Sequence, residues 1–216
     1  MVRPVPHAGG MMETAALVSA FVTMFVIIDP IGLTPMFIAL TQGSDAAHRR
    51  AVARRACLIA AGLLIVFALV GEAVLTAVGI TMPAFQIAGG LLLFLTALDM
   101  LFERRTQRRS THAAPDEARP DPSVFPLAMP LIAGPGAMAS VILLAGQTNS
   151  IAGTLSILAV TLAVVLIAFL LFLVATPVER LLGTTGNMVV TRLLGMLLAA
   201  LSVQFILDGI EGAGLL

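Results

Sequence analysis

Six stretches of this chain are apolar on every face, with no polar stripe of the kind an amphipathic surface helix carries. They run from Thr14 to Leu40, Ala56 to Val78, Pro83 to Phe102, Val124 to Ala145, Ile151 to Thr176 and Val189 to Ile210. A hydrocarbon layer about 30 Å thick needs roughly 20 such residues of helix. The pattern predicts an all-α, polytopic membrane protein with six transmembrane helices. Composition agrees: 59% of the 216 residues are hydrophobic and only 11% are charged, where globular proteins are near half and a quarter. The tail Met1–Gly10 has one arginine and no apolar run, so the first apolar segment is expected to stay in the mature protein.

The charges set a topology. Lysine is absent and all basic residues are arginine. Arg49, Arg50, Arg54 and Arg55 are assigned to the first loop. Arg104, Arg105, Arg108, Arg109 and Arg119 fall in the third, and Arg180 and Arg192 in or beside the fifth. Only Arg3 falls on the other side of a six-helix weave. The arginine-rich side is expected to be cytoplasmic, with both termini on the outer, periplasmic side of an inner membrane. The formal net charge is zero, which leaves no basic surface for nucleic acid.

Two of the apolar stretches carry the same interruption. Asp29-Pro30-Ile31-Gly32-Leu33-Thr34-Pro35 is matched by Met129-Pro130-Leu131-Ile132-Ala133-Gly134-Pro135-Gly136. Pro30, Pro35, Pro130 and Pro135 each lack an N–H and clash with the preceding turn, so all four are expected at helix breaks. Further matches follow in order: Leu69-Val70, Val74 and Gly79 with Leu173-Val174, Val178 and Gly183, then Gln86, Gly89 and Thr96 with Arg192, Gly195 and Ser202. The expected organisation is a three-helix repeat over residues 1–103, a cytoplasmic linker over 104–123, and a second three-helix repeat over 124–216. An odd number of helices per repeat makes the second enter the membrane from the opposite side, an inverted-topology pair.

Broken helices at membrane depth are tolerated where the freed backbone groups are buried in protein or line a cavity. Asp29 precedes Arg49 by about 20 residues, roughly 30 Å of helix, so its carboxylate is deep. As the residue before a proline it also suits the N-cap of the helix that starts there. Gly134 and Gly136 around Pro135 predict a free helix start, whose N–H groups and dipole attract a carboxylate. Asp29, Gly32, Thr34, Gly134, Gly136 and Ser140 are therefore the candidate substrate-binding residues. Two dissimilar ends suit a zwitterion.

Other polar groups rank lower. Glu72, Asp99 and Asp208 are placed toward interfaces, and Met24, Met36 and Met138 read as packing residues. His7, His48 and His112 fall in tails or loops and Cys57 is the single cysteine, so no metal or other cofactor is expected. Gly-x-Ser-x-Gly, His-Glu-x-x-His and Walker motifs are absent, so an enzyme is not expected.

The segments Phe25–Gln42 and Phe125–Val141, the second reading Pro-Leu-Ala-Met-Pro-Leu-Ile-Ala-Gly-Pro-Gly-Ala from Pro126, resemble the two signature segments of the MarC family. The resemblance spans essentially the whole chain. It implies a small six-helix transporter grouped with the amino-acid exporter superfamily, some of whose members are described as carrying neutral amino acids such as glycine and alanine. Some members have Asn where this chain has Asp29 and where it has Leu33. The expectation is a secondary transporter of small neutral amino acids working by alternating access, with H⁺ or Na⁺ coupling open. A passive channel or small-solute exporter, and a non-transporting scaffold, are the alternatives.

Overall fold

The computed structural model describes residues 14–102, 121–148 and 150–215. The tail with Arg3 and His7, and most of the expected linker with Arg104, Arg105, Arg108, Arg109, His112 and Arg119, lie outside the described residues. Every described element is helical. In chain order they are α1 (Thr14–Ile28), α2 (Pro30–Leu40), α3 (Ala46–Val78), α4 (Met82–Leu101), α5 (Ser123–Ile132), α6 (Pro135–Gly146), α7 (Ile151–Leu173) and α8 (Ala175–Gly212).

Among the described residues, five stretches are long and apolar enough to cross a membrane: Thr14–Leu40, Ala46–Val78, Met82–Leu101, Ile151–Leu173 and Met188–Gly212. The fourth expected span, Val124 to Ala145, is instead divided into α5 and α6. The α5 stretch is wound with i→i−5 bonds, because Pro126 has no N–H to give the Pro122 carbonyl. That carbonyl takes the Leu127 amide at 3.2 Å instead, and Ala133 N donates to Ala128 O at 2.9 Å in the same way.

α3 starts ten residues before the expected Ala56. Asp45 caps it, its carboxylate accepting from His48 N at 2.7 Å. Arg49, Arg50, Arg54 and Arg55, and His48 with them, are thus on a helix and not in a loop. At 33 residues the helix is about 50 Å long, so its first turns project beyond the hydrocarbon and carry the arginines with them. At the far end of α7 a single residue, Val174, separates it from α8. Arg192, assigned to the loop edge, is inside α8, which bends at Gly183 (φ 62°).

Small residues set the helix spacing. α4 and α8 run antiparallel in close contact. A Cβ on Gly90 would meet Ile206 Cγ1 at 2.7 Å, one on Gly195 would meet Met100 Cβ at 3.1 Å, and one on Gly209 would meet Ile87 Cγ1 at 2.7 Å. Such close backbone approach is the usual source of association where apolar burial gives helices no advantage over lipid. Outward-facing Leu69, Val74, Leu95, Leu155, Leu170 and Leu197 are exposed and form the lipid-facing surface.

The two broken segments occupy the centre. Half of the apolar window in Thr14–Leu40 is buried, against 22% in Ala46–Val78. In α6, Gly136, Ala137 and every residue from Ala139 to Leu143 are buried. α2 ends at the arginine-bearing start of α3, and α5 begins there as well, where Arg55 meets Asp121 at 3.3 Å. The broken segments therefore run in opposite directions.

Candidate functional site

The first break is at Asp29. α1 closes with Asp29 N donating to Phe25 O at 2.9 Å, and α2 restarts at once with Leu33 N donating to Asp29 O at 3.0 Å. The chain turns because Asp29 adopts the left-handed conformation (φ 52°, ψ 61°), which Asp and Asn tolerate better than other residues with a Cβ. Its Oδ1 accepts from Gly32 N at 3.0 Å, the cap expected of an Asp-Pro start. Gly32 is required there, because a Cβ would overlap the Asp29 carboxylate. Asp29 is 2% exposed, with Leu33, Thr34 and Phe37 buried below it.

The second break is at Ala133–Gly134. α6 restarts with Gly134 as N-cap, Pro135 in the first turn and no side-chain cap. The amides of Gly136 and Ala137 are orphan donors of a helix start. The helix-restarting prolines are thus Pro30 and Pro135, which are not aligned with one another in the repeat. Pro35 lies inside α2 and Pro130 inside the π-wound α5. Neither ends its helix, and around α5 the bonds shift by a residue. The Thr34 hydroxyl donates to the Pro30 carbonyl at 3.0 Å, an ordinary back-bond one turn away, whereas the carbonyl that Pro35 leaves without its amide is that of Ile31.

The two breaks touch. The Cβ position of Gly136 is 3.8 Å from Ile27 Cγ2, two residues before Asp29, and 2.5 Å from Leu93 Cδ2 of α4. Leu93 thus fills the space at Gly136 in this conformation. Ser140, one turn deeper along α6, is fully buried, and its Oγ has no hydrogen-bond partner among the described residues. A helical serine normally bonds its own backbone one turn back, a bond that Ser140 does not make. Asp29, the start of α6 and Ser140 are thus all buried on the two broken segments, which approach each other at Ile27 and Gly136. Glu72, Gln204 and Asp208 are on the outer surface, with Gln204 donating to Asp208 at 2.6 Å, and do not join it. No group of three or more His, Cys, Asp or Glu that could hold a metal occurs among the described residues.

Sequence reasoning missed a group of side chains packed at the arginine-rich end. Phe37, on α2 one turn past Thr34, stacks on Phe172 of α7 with centroids 4.6 Å apart. The Arg49 guanidinium is 5.8 Å from the Phe37 centroid, and its Nη1 donates to Thr176 Oγ1 at 3.2 Å. Arg49 was legible only as a topology signal, since its partners lie far away in the chain. Beside it, Asp121 accepts from Ser123 N at 2.9 Å and Ser123 Oγ at 2.6 Å. These donors and the Arg55 charge hold its carboxyl below the usual carboxylate range.

Residues 14–214 match the model of the MarC family of integral membrane proteins. The chain belongs to the MarC family. Among its MarC relatives, a UPF0056 membrane protein of Methanocaldococcus jannaschii is 35% identical over 94% of this chain and 99% of its own length. YvbG, a UPF0056 membrane protein of Bacillus subtilis, is 33% identical over 93% and 97%. YhgN, a UPF0056 inner membrane protein of Escherichia coli, is 35% identical over 90% and 96%. No solved structure matches the chain.

Proposed function

We propose that this MarC protein is an inner-membrane secondary transporter of small neutral amino acids, working by alternating access between two inverted repeats, α1–α4 and α5–α8. The observation that carries the reading is the contact between the two breaks. A zwitterion has an ammonium for the Asp29 carboxylate and a carboxylate for the bare start of α6, with Ser140 Oγ within the same packed region. Broken helices at the repeat interface are the usual location of such sites.

The opposite directions of the two broken segments support the inversion. Gly79 and Gly183 are matched in the repeat and both have positive φ, 81° and 62°, but Gly79 is left-handed helical at ψ 20° and Gly183 is extended at ψ 179°. Gly89 and Gly195 are matched too, and each meets a neighbouring helix at a Cβ contact of 3.0 and 3.1 Å. In this reading the conformation is occluded. Asp29 is closed off, and the Phe37–Phe172–Arg49 group seals the arginine-rich, cytoplasmic end.

The test is counterflow of labelled glycine and alanine in proteoliposomes. Saturable uptake stimulated by unlabelled substrate inside the vesicle is expected. Unsaturable flux without trans-stimulation would make it a channel, and flux equal to empty vesicles would remove the transport reading.

A further inference from the structure

A groove of about 200 Å³ runs between α3 and α7 on the outer surface, separate from the two breaks and independent of the transport reading. Its walls are apolar: Leu58 and Ala61 from α3, and Leu162, Leu166 and Phe169 from α7. Arg54 stands at one end. Arg50 is one turn further out on α3, and both arginines are exposed.

Four arginines open α3, and two have partners. Arg49 is held by Phe37 and Thr176, and Arg55 by Asp121. Arg50 and Arg54 have no ion-pair or hydrogen-bond partner among the described residues. At a spacing of four they share a helix face, where like charges repel. An anion between them would remove that repulsion. Directly below, Leu58 continues the same face into the groove. The sequence along this stripe is thus charge at headgroup level and hydrocarbon beneath it, the polarity of a phospholipid. Basic pockets between helices on the cytoplasmic side are suited to anionic headgroups.

We propose that this groove is a binding site for an anionic phospholipid, with one acyl chain between α3 and α7 and the phosphate at Arg50 and Arg54. The site selects by charge at the arginines and by shape along Leu162 and Leu166.

The test is native mass spectrometry of the full-length protein released from detergent. Phosphatidylglycerol and phosphatidylcholine with identical acyl chains are supplied in equal amounts. The wild type is expected to retain phosphatidylglycerol preferentially, by roughly tenfold or more for two arginines. Arg50→Ala with Arg54→Ala should reduce it to the phosphatidylcholine level, while Arg54→Lys should keep most of the preference. Leu162→Trp should lower retention of both lipids. Arg55→Ala, which removes an arginine already engaged by Asp121, should leave the preference in place. Equal retention of the two lipids by the wild type overturns the proposal. So does a double variant that keeps the preference, or an Arg55→Ala loss as large as the double variant's. A dimer that Leu162→Trp dissociates without changing lipid retention would assign the groove to a second copy of the chain, and also overturns it. Each variant is checked for wild-type helicity and elution volume.

Discussion

The Gly32 amide donates to Asp29 Oδ1 at 3.0 Å, and a Cβ on Gly32 would overlap that same carboxylate. One position both holds the deep acid and leaves it room. Gly32→Ala is therefore expected to displace Asp29 and to cost about 1–3 kcal/mol, as overpacking does. Thermal unfolding in detergent measures the cost. Asp29→Asn keeps both the left-handed backbone and an acceptor for Gly32, so its melting point should stay near wild type while amino-acid flux falls. Wild-type flux in Asp29→Asn would show that the negative charge is dispensable.

Ser140 allows structure and function to be separated. A buried hydroxyl without a partner costs stability, so Ser140→Ala should melt at or slightly above the wild-type temperature. If the hydroxyl is reserved for a substrate, the same variant raises the KM for transport. A stabilised variant with an unchanged KM removes Ser140 from the site.

The stacking of Phe37 on Phe172 at 4.6 Å is expected to close the arginine-rich end. Phe172→Leu keeps an apolar side chain but loses the ring. In a Cys57→Ala background, which has no natural cysteine, a cysteine at Thr34 should react faster with a water-soluble maleimide when Phe172→Leu is added. An unchanged rate would place the seal elsewhere.

Two helix glycines should respond in opposite directions. Gly62 has open space around its Cβ position, so Gly62→Ala removes only the helix penalty of glycine and should stabilise by about 0.5–1 kcal/mol. Gly90→Ala would set a Cβ at 2.8 Å from the Ser202 carbonyl and should destabilise by about 1–3 kcal/mol. Melting curves of the pair check the packing of α4 on α8.

Asp121 gives a pH dependence at the arginine-rich end. The Ser123 donors first, and then Arg55, lower its pKa in the folded state. Its stabilising contribution is therefore complete above the ordinary value of 3.8 and is lost as pH falls through the lower folded value. The Asp121 side chain is 42% exposed, so solvent screening keeps the effect small. Melting point against pH should fall less steeply below pH 4 in Asp121→Asn than in the wild type.

Several of these features were legible in particular residues. Asp29-Pro30 announced a cap and a helix start, because both effects are local to the dipeptide. Gly134-Pro135-Gly136 announced a second start for the same reason. The roles of Pro35 and Pro130 were not legible. A missing N–H is local, but whether its orphaned carbonyl breaks the helix depends on whether another donor reaches it, as the Leu127 amide reaches Pro122 O. Arg49 and Arg55 read alike as positive charges near a membrane face. Only the fold brings Phe37 and Thr176 to one of them and Asp121 to the other.

The sequence by itself determined that this is a helical membrane protein, since apolar length is a sum over neighbouring residues that lipid alone can satisfy. It also determined where two central helices restart. The tertiary structure alone decided that the restarts meet at Ile27 and Gly136, and that Leu93 fills the space beside them. It alone decided that Phe37 stacks on Phe172, and that Arg50 and Arg54, beside an apolar groove, have no ion-pair or hydrogen-bond partner among the described residues. These are relations between residues far apart in the chain. They depend on how closely glycine-faced helices approach, a distance set by both partners of each contact.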